Sequence, residues 1–474
     1  MEIFRVLGSL LLLLIISSSS VFADTTTEIK KIIKKHHFAE STLGLYVEDE
    51  GKKILDLNAD KLMVPASLTK IVTGGAILTK IPLNKKFSTE LWSRANIDGA
   101  ILKGALCLKG GGDPSFVSEK MWYLVNEFTR TGVKSIEGDL IIDSSRFDSE
   151  IYDLGRDAVR VDRAYDAPVS AVSFNWNSVN IFVRPGLKVD GPATVVLDPV
   201  SDYLELENKT KTVSKSGVKT IEVTRIKIGD KDKILVTGSL SVGAPEVVIY
   251  KSITNPVLWT GSHLKEFLKN REINVSGKVK AGECESGSVV LASSPSKNLN
   301  EITSDMLKFS NNFVAEMLVK NLAADDLSTN PKSMNASMKD GIEGLKSYLD
   351  KLGIGRKEYV LENVSGLTRD NRFTAKQLSS VLASIKNDFL IYPEFLSGLP
   401  IAGVDGTMKN RLKGDPNIVR AKTGYLDGVV GLGGYIGRKD KSPLIFTFMF
   451  NGGFDQGLAA RPLFDAIITE LQKL

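Results

Sequence analysis

Cysteine and histidine are scarce in this chain: 474 residues contain two of the first, Cys107 and Cys284, and three of the second. Such a set makes no cluster at zinc-ligand spacing, so no metal and no cofactor are implied. The two cysteines stand 177 residues apart, which leaves both a disulfide and a pair of buried free thiols open. A Ser-His-Asp hydrolase also lacks its parts. His36 and His37 adjoin a lysine-rich N-terminal segment, His263 lies in mid-chain, and no Gly-x-Ser-x-Gly elbow surrounds a plausible nucleophile. Low-complexity tracts and blocks of basic residues interleaved with aromatics are missing too. The net charge of +5 is spread along the chain, which argues against nucleic acid as a partner and allows weak attraction to anionic cell-wall polymer.

Long apolar runs are missing with one exception. Arg5 precedes the stretch from Val6 to Ile16, followed by Ser17 to Ser20 and Val21-Phe22-Ala23. A core this short, before small residues, reads as a cleaved secretory signal over 1–23 with the mature chain starting near Asp24, and it falls well short of the ~20 residues that span a bilayer. Export to the periplasm is therefore expected, with at most peripheral membrane contact.

What is present is the composition of a globular protein, 42% hydrophobic and 25% charged, too long for one core. Leu43 to Val47 and Ile54 to Leu57 read as a hairpin around Asp49-Glu50-Gly51. From about Phe87 to Val290 short alternating runs dominate, among them Ala193 to Leu197, Ile221 to Ile228 and Val247 to Tyr250. Helical periodicity returns after Ser293, at Phe313 to Leu322, Met338 to Leu352 and Thr374 to Ile385. Val419 to Gly434 reads as one strand run, Leu444 to Phe450 as another strand, and Gly457 to Leu474 as a closing amphipathic helix. Strands at both ends with a β-rich block between predict one α/β domain split by a large insertion.

Three short motifs carry chemistry. Ser67-Leu68-Thr69-Lys70 opens an apolar helix. Residues three apart share a helix face, so Lys70 can take a proton from the Ser67 hydroxyl, which is a poor nucleophile without a base. Ser-x-x-Lys also occurs at Ser216, Ser262 and Ser294, so the tetrapeptide alone says little. Ser310-Asn311-Asn312 starts a helix, where Ser310 can pass a proton and Asn312 can bond a substrate amide, or both can simply cap. Lys422-Thr423-Gly424 lies in the strand run: Lys422 supplies a fixed charge, Thr423 a hydroxyl for a carboxylate, and Gly424 room for an extended ligand added as a strand.

Ser-x-x-Lys, Ser-x-Asn and Lys-Thr-Gly in this order form the acyl-transfer set of penicillin-binding proteins and β-lactamases. Gaps of 243 and 112 residues between their first members leave far more room than a β-lactamase has. Over nearly its whole mature length the chain resembles the class C low-molecular-mass penicillin-binding proteins, the D-alanyl-D-alanine carboxypeptidase/endopeptidase group of the penicillin-binding protein 4 family. Leu108 to Pro114, Gly138 to Asp143, Tyr165 to Ala171, Ser365 to Arg372 and Leu399 to Thr407 fit that family as well.

The resemblance implies a serine β-lactamase/DD-peptidase-like transpeptidase domain, an antiparallel sheet flanked by helices with an all-α subdomain. A β-rich insertion of two nested domains interrupts it. The expected boundaries are 24–88 and 293–474 for the catalytic domain, 89–165 and 251–292 for the outer insertion, and 166–250 for the nested one. It implies peptidoglycan stem peptides and cross-links as substrates, β-lactams as covalent inhibitors, and a catalytic set of Ser67, Lys70, Ser310, Asn312 and Lys422. Thr423, Gly424 and Tyr425 are implied to bind substrate, with the N–H of Tyr425 in the oxyanion hole. Two positions depart from the family pattern. Tyr425 stands where many relatives carry Thr or Ser, which points toward endopeptidase over carboxypeptidase action, and Asn363 stands where Asp is favoured. Asp162 or Asp166 is implied as a partner for a substrate amine. The contrasting reading is a non-catalytic peptidoglycan-binding or sensing protein that keeps the pocket.

Overall fold

Continuous burial along Leu43 to Val47, Val429 to Ile436 and Leu444 to Phe450 sets the architecture of the first compact unit, whose sheet is covered on both faces there. A computed structural model describes residues 24–153, 162–215, 219–326, 334–414 and 418–474, and the expected leader over 1–23 lies outside the described residues. The chain forms two compact units, the first made of residues up to Thr79, Thr303–Asn311 and Leu345–Leu474, the second of Lys80–Ile302 and Asn312–Gly344.

In the first unit five antiparallel strands follow the order Val419–Leu426, Val429–Arg438, Lys441–Asn451, Leu43–Asp49, Lys52–Leu57. The run from Val419 to Gly434 is therefore two strands rather than one. Asp427-Gly428, with Gly428 at φ +74°, turns the chain between them, as Asp-Gly commonly does in hairpins. One face of the sheet is covered by the helix over 24–35 and by Ala460–Leu471, whose Leu463, Phe464, Ile467 and Ile468 share a buried cluster with Ile29, Ile33, Leu45 and Phe448. The helices Thr69–Lys80 and Ala375–Lys386 pack in the same unit, the latter tied to the sheet by Ser379 Oγ donating to Thr447 Oγ1 at 2.9 Å and by Tyr435 Oη donating to Leu382 O at 2.8 Å.

The position of Thr69–Lys80 depends on missing side chains in the sheet beneath it. A Cβ at Gly431 would stand 2.6 Å from Leu68 Cδ1, and one at Gly433 3.2 Å from Ile71 Cδ1. Only a strand this poor in side chains lets the turn carrying Ser67 settle onto the sheet.

The second unit is rich in strands, in sheets of three, three, four and five, and its core gathers Leu106, Leu140, Phe174, Ile181, Ile234 and Trp259. Cys107 and Cys284 are joined in a disulfide with Cα atoms 5.6 Å apart, which closes the alternative of free thiols. No helix among the described residues is long and apolar enough to cross a membrane.

Candidate active site

Pro65 leads into a single 3₁₀ turn, Ala66–Leu68, that runs straight into the helix Thr69–Lys80. Ala66 takes φ +48°, a left-handed conformation uncommon for a residue with a Cβ and costing of order 1 kcal/mol or more. Neighbours hold it there. Thr69 Oγ1 donates to Ala66 O at 2.9 Å and accepts from Asn371 Nδ2 at 3.2 Å. Gly366, at φ +78°, lies so close that a Cβ on it would sit 2.0 Å from Ala66 O.

This turn aims Ser67 Oγ at Lys70 Nζ, 3.2 Å away. Lys70 is fully buried, and its Nζ also donates to Ser365 O at 2.5 Å. The Ser365 carbonyl thus fixes the base, and the loop around it is itself fixed. Asn363 Oδ1 accepts from Ser365 N, Ser365 Oγ and Leu367 N, at 3.1, 2.9 and 2.9 Å. An amide oxygen performs this triple acceptance without a negative charge, so Asn363 serves the turn that an aspartate would.

A second lysine–serine pair faces the first. Ser310, at φ +55°, sits at the junction after the helix Leu299–Phe309. Its Oγ accepts from Lys422 Nζ at 2.8 Å, and the same ammonium donates to Thr423 O at 2.6 Å. Lys422 has no exposed surface, and burial pushes its ammonium down to about 7. An unfolded lysine titrates near ~10.4, so between those values the unfolded chain holds the extra proton and stability rises with pH, by up to about 1.4 kcal/mol per unit. Lys422→Met is expected to lose this slope. Between pH 7.5 and 9 the urea-unfolding free energy of the wild type should gain about 2 kcal/mol on that of the variant; parallel pH dependences would refute it.

The serines of both pairs border a cavity of about 230 Å³ lined by Ser67, Ser310, Thr407, Arg411, Thr423, Gly424, Tyr425, Val430 and Arg461, with both lysines buried behind them. Thr423 Oγ1 donates to Thr407 Oγ1 at 2.7 Å. Among the described residues no carboxylate lines it, whereas two guanidinium groups do. The strand Val419–Leu426 is the edge of its sheet. Pro400 and Ala402 bond with Ala421 and Val419, and among the described residues no backbone bond covers the outer side of Thr423 to Leu426. An extended peptide can add there as a further strand. The chemistry on offer is a serine nucleophile with a buried amine at its side, a second hydroxyl–ammonium pair, and a positive, hydroxyl-bearing wall for an anion.

The structure thus brings Ser67, Lys70, Ser310, Lys422, Thr423, Gly424 and Tyr425 into one place. Asn312 opens the helix Asn312–Asp325 in the second unit, where its Nδ2 donates to Tyr165 O at 3.3 Å. Asp162 accepts from Lys251 Nζ at 2.6 Å and from Arg225 N at 2.8 Å, an internal pairing that occupies the carboxylate. No histidine lines the cavity. His263 is buried against Trp259 and Phe174, and burial pushes it down to about 4. Sequence reasoning left out Arg461 and gave Thr407 no role, since nothing local marks either as part of a site formed by distant segments.

The model of the D-Ala-D-Ala carboxypeptidase 3 (S13) family matches residues 25–471. The D-alanyl-D-alanine carboxypeptidase of Actinomadura sp. (strain R39) is 29% identical over 464 residues, covering 94% of this chain and 84% of that protein. The crystal structure of penicillin binding protein 4 from Haemophilus influenzae shares the fold, with a TM-score of 0.79 at 24% identity over 94% of this chain and 98% of that one. A second structure of that protein, complexed with a novel β-lactam, superposes with a TM-score of 0.74 at the same identity, covering 94% of this chain and 99% of the other.

Proposed function

The chain belongs to the D-Ala-D-Ala carboxypeptidase 3 (S13) family and is a serine-type peptidase, and we propose that it cleaves peptidoglycan stem peptides through an acyl-enzyme on Ser67. The observation that carries this reading is the 3.2 Å contact between Ser67 Oγ and the buried Lys70 Nζ at the cavity wall.

In this mechanism Lys70 takes the Ser67 proton as Oγ adds to the carbonyl of the penultimate D-alanine. The oxyanion is received by the N–H groups of Ser67 and Tyr425, preorganised donors of a kind that supply ~10²–10³ in rate each. Collapse breaks the C–N bond, and the leaving amine of the terminal D-alanine takes the proton that Lys70 received, relayed through the Ser310 hydroxyl, which Lys422 orients by donating to its Oγ. Water then attacks the ester carbonyl and gives its proton to Lys70; the bond to Ser67 Oγ breaks, Lys70 returns the proton to that oxygen, and the shortened peptide leaves. A β-lactam enters by the same attack, but its opened ring keeps the leaving nitrogen tethered and blocks water.

The reading includes export, supported by the apolar stretch from Val6 to Ile16 and the small residues after it. A binding protein without turnover has no need to bury an amine against a serine hydroxyl, which costs desolvation energy for no gain in affinity. Purified protein incubated with pentapeptide-ended muropeptides is expected to release one D-alanine per stem, followed by chromatography. Intact stems and intact cross-links after prolonged incubation would overturn the proposal.

A further inference from the structure

Two cations face the cavity, and they differ in what holds them. Arg411 is engaged by Asp465, with Nη2 to Oδ1 at 2.5 Å and Nε to the two carboxylate oxygens at 3.1 and 3.2 Å. That carboxylate neutralises its charge and fills its fork. Arg461 has no ion pair among the described residues. Its guanidinium lies over the ring of Tyr425, 4.9 Å from the centroid, a cation–π shelf that orients the group without using its N–H donors. Tyr425 follows Gly424 on the open edge of the sheet and is 42% exposed, so the shelf stands at the cavity rim.

Resting on the acyl-transfer reading above, we propose that Arg461, supported by Tyr425, receives the carboxylate beside the scissile amide and makes this enzyme selective for substrates with a free carboxylate at that position. The geometry favours it on three grounds. The cavity has a serine nucleophile and, among the described residues, no acid in its lining. The uncompensated guanidinium offers a bidentate fork, the pairing that recognises a carboxylate best. Finally, Thr423 and Thr407 place hydroxyl groups on the same wall, able to complete the anion's hydrogen bonds. The aromatic residue at 425 then has a definite task, which is to hold the arginine rather than to touch the anion through its own hydroxyl.

The test compares one N-acylated peptide ending in D-Ala-D-Ala in two forms, free acid and C-terminal amide, on wild type, Arg461→Gln, Arg461→Lys and Tyr425→Leu. Wild type should prefer the acid. Arg461→Gln should lose ~10–100-fold in kcat/KM on the acid, chiefly through KM, with the amide changed less than about threefold, the scale of a lost charged hydrogen-bond pair. Arg461→Lys should recover part of the loss, and Tyr425→Leu should show a smaller loss of the same pattern. An active Arg461→Gln variant that keeps the wild-type acid-to-amide ratio overturns this inference alone. Wild type that cleaves neither form overturns the acyl-transfer reading and this inference with it.

Discussion

Ser67→Ala is expected to reduce release of D-alanine by ~10⁴–10⁶-fold, to the residual rate left by binding and the oxyanion donors. Alanine keeps the helix and removes only the Oγ, which lies 3.2 Å from Lys70 Nζ. Lys70→Met should approach the same floor, and the double variant should be little worse than either single one, because a nucleophile and its base act as one unit. The assay is single-turnover release of D-alanine from a pentapeptide, alongside thermal melts to show that both variants fold. A Ser67→Ala enzyme within tenfold of wild type would remove Ser67 from the reaction.

The second large effect is expected at Gly366, which no mechanism would assign a chemical role. Alanine there must adopt φ +78° and place its Cβ 2.0 Å from Ala66 O and 3.0 Å from Ser67 N. The nucleophile's turn has to move, or the loop bearing the Ser365 carbonyl has to, and either displaces Lys70 from Ser67. A shift of about 1 Å at reacting atoms costs ~10²-fold. The conformational strain adds about 1–3 kcal/mol of destabilisation. Acylation by a fluorescent penicillin, followed on the folded fraction, should therefore slow by ~10²-fold or more. A rate within threefold of wild type would mean that the close approach of Gly366 to the turn does not position the nucleophile.

These two residues also mark what a sequence can and cannot tell. Ser67 and Lys70 are legible because a one-turn spacing on a helix is a local property. The terminal hairpin and the strand-like end of the chain are legible for the same reason, the first through alternation of side chains and the second as a short apolar, aromatic-rich run. Asp427-Gly428 carries a hairpin signal that the apolar texture around it obscures, so two strands read as one run. The support of the site is another matter. Ser365 lies 295 residues from the Lys70 it fixes, and Arg461 reaches the cavity from a terminal helix whose pattern describes only its buried face. Which cysteine meets which is likewise a matter of tertiary geometry. Asn363 shows the reverse case, in which a departure from the expected aspartate keeps all three acceptances from the loop.

The central claim, an acyl-enzyme on Ser67, is tested most directly by mass spectrometry of the intact protein after brief exposure to benzylpenicillin. The account predicts one adduct with the mass of the whole antibiotic, mapped by proteolysis to the peptide containing Ser67 and absent from Ser67→Ala. An unmodified wild-type protein, or an adduct mapped to any other residue, would contradict it.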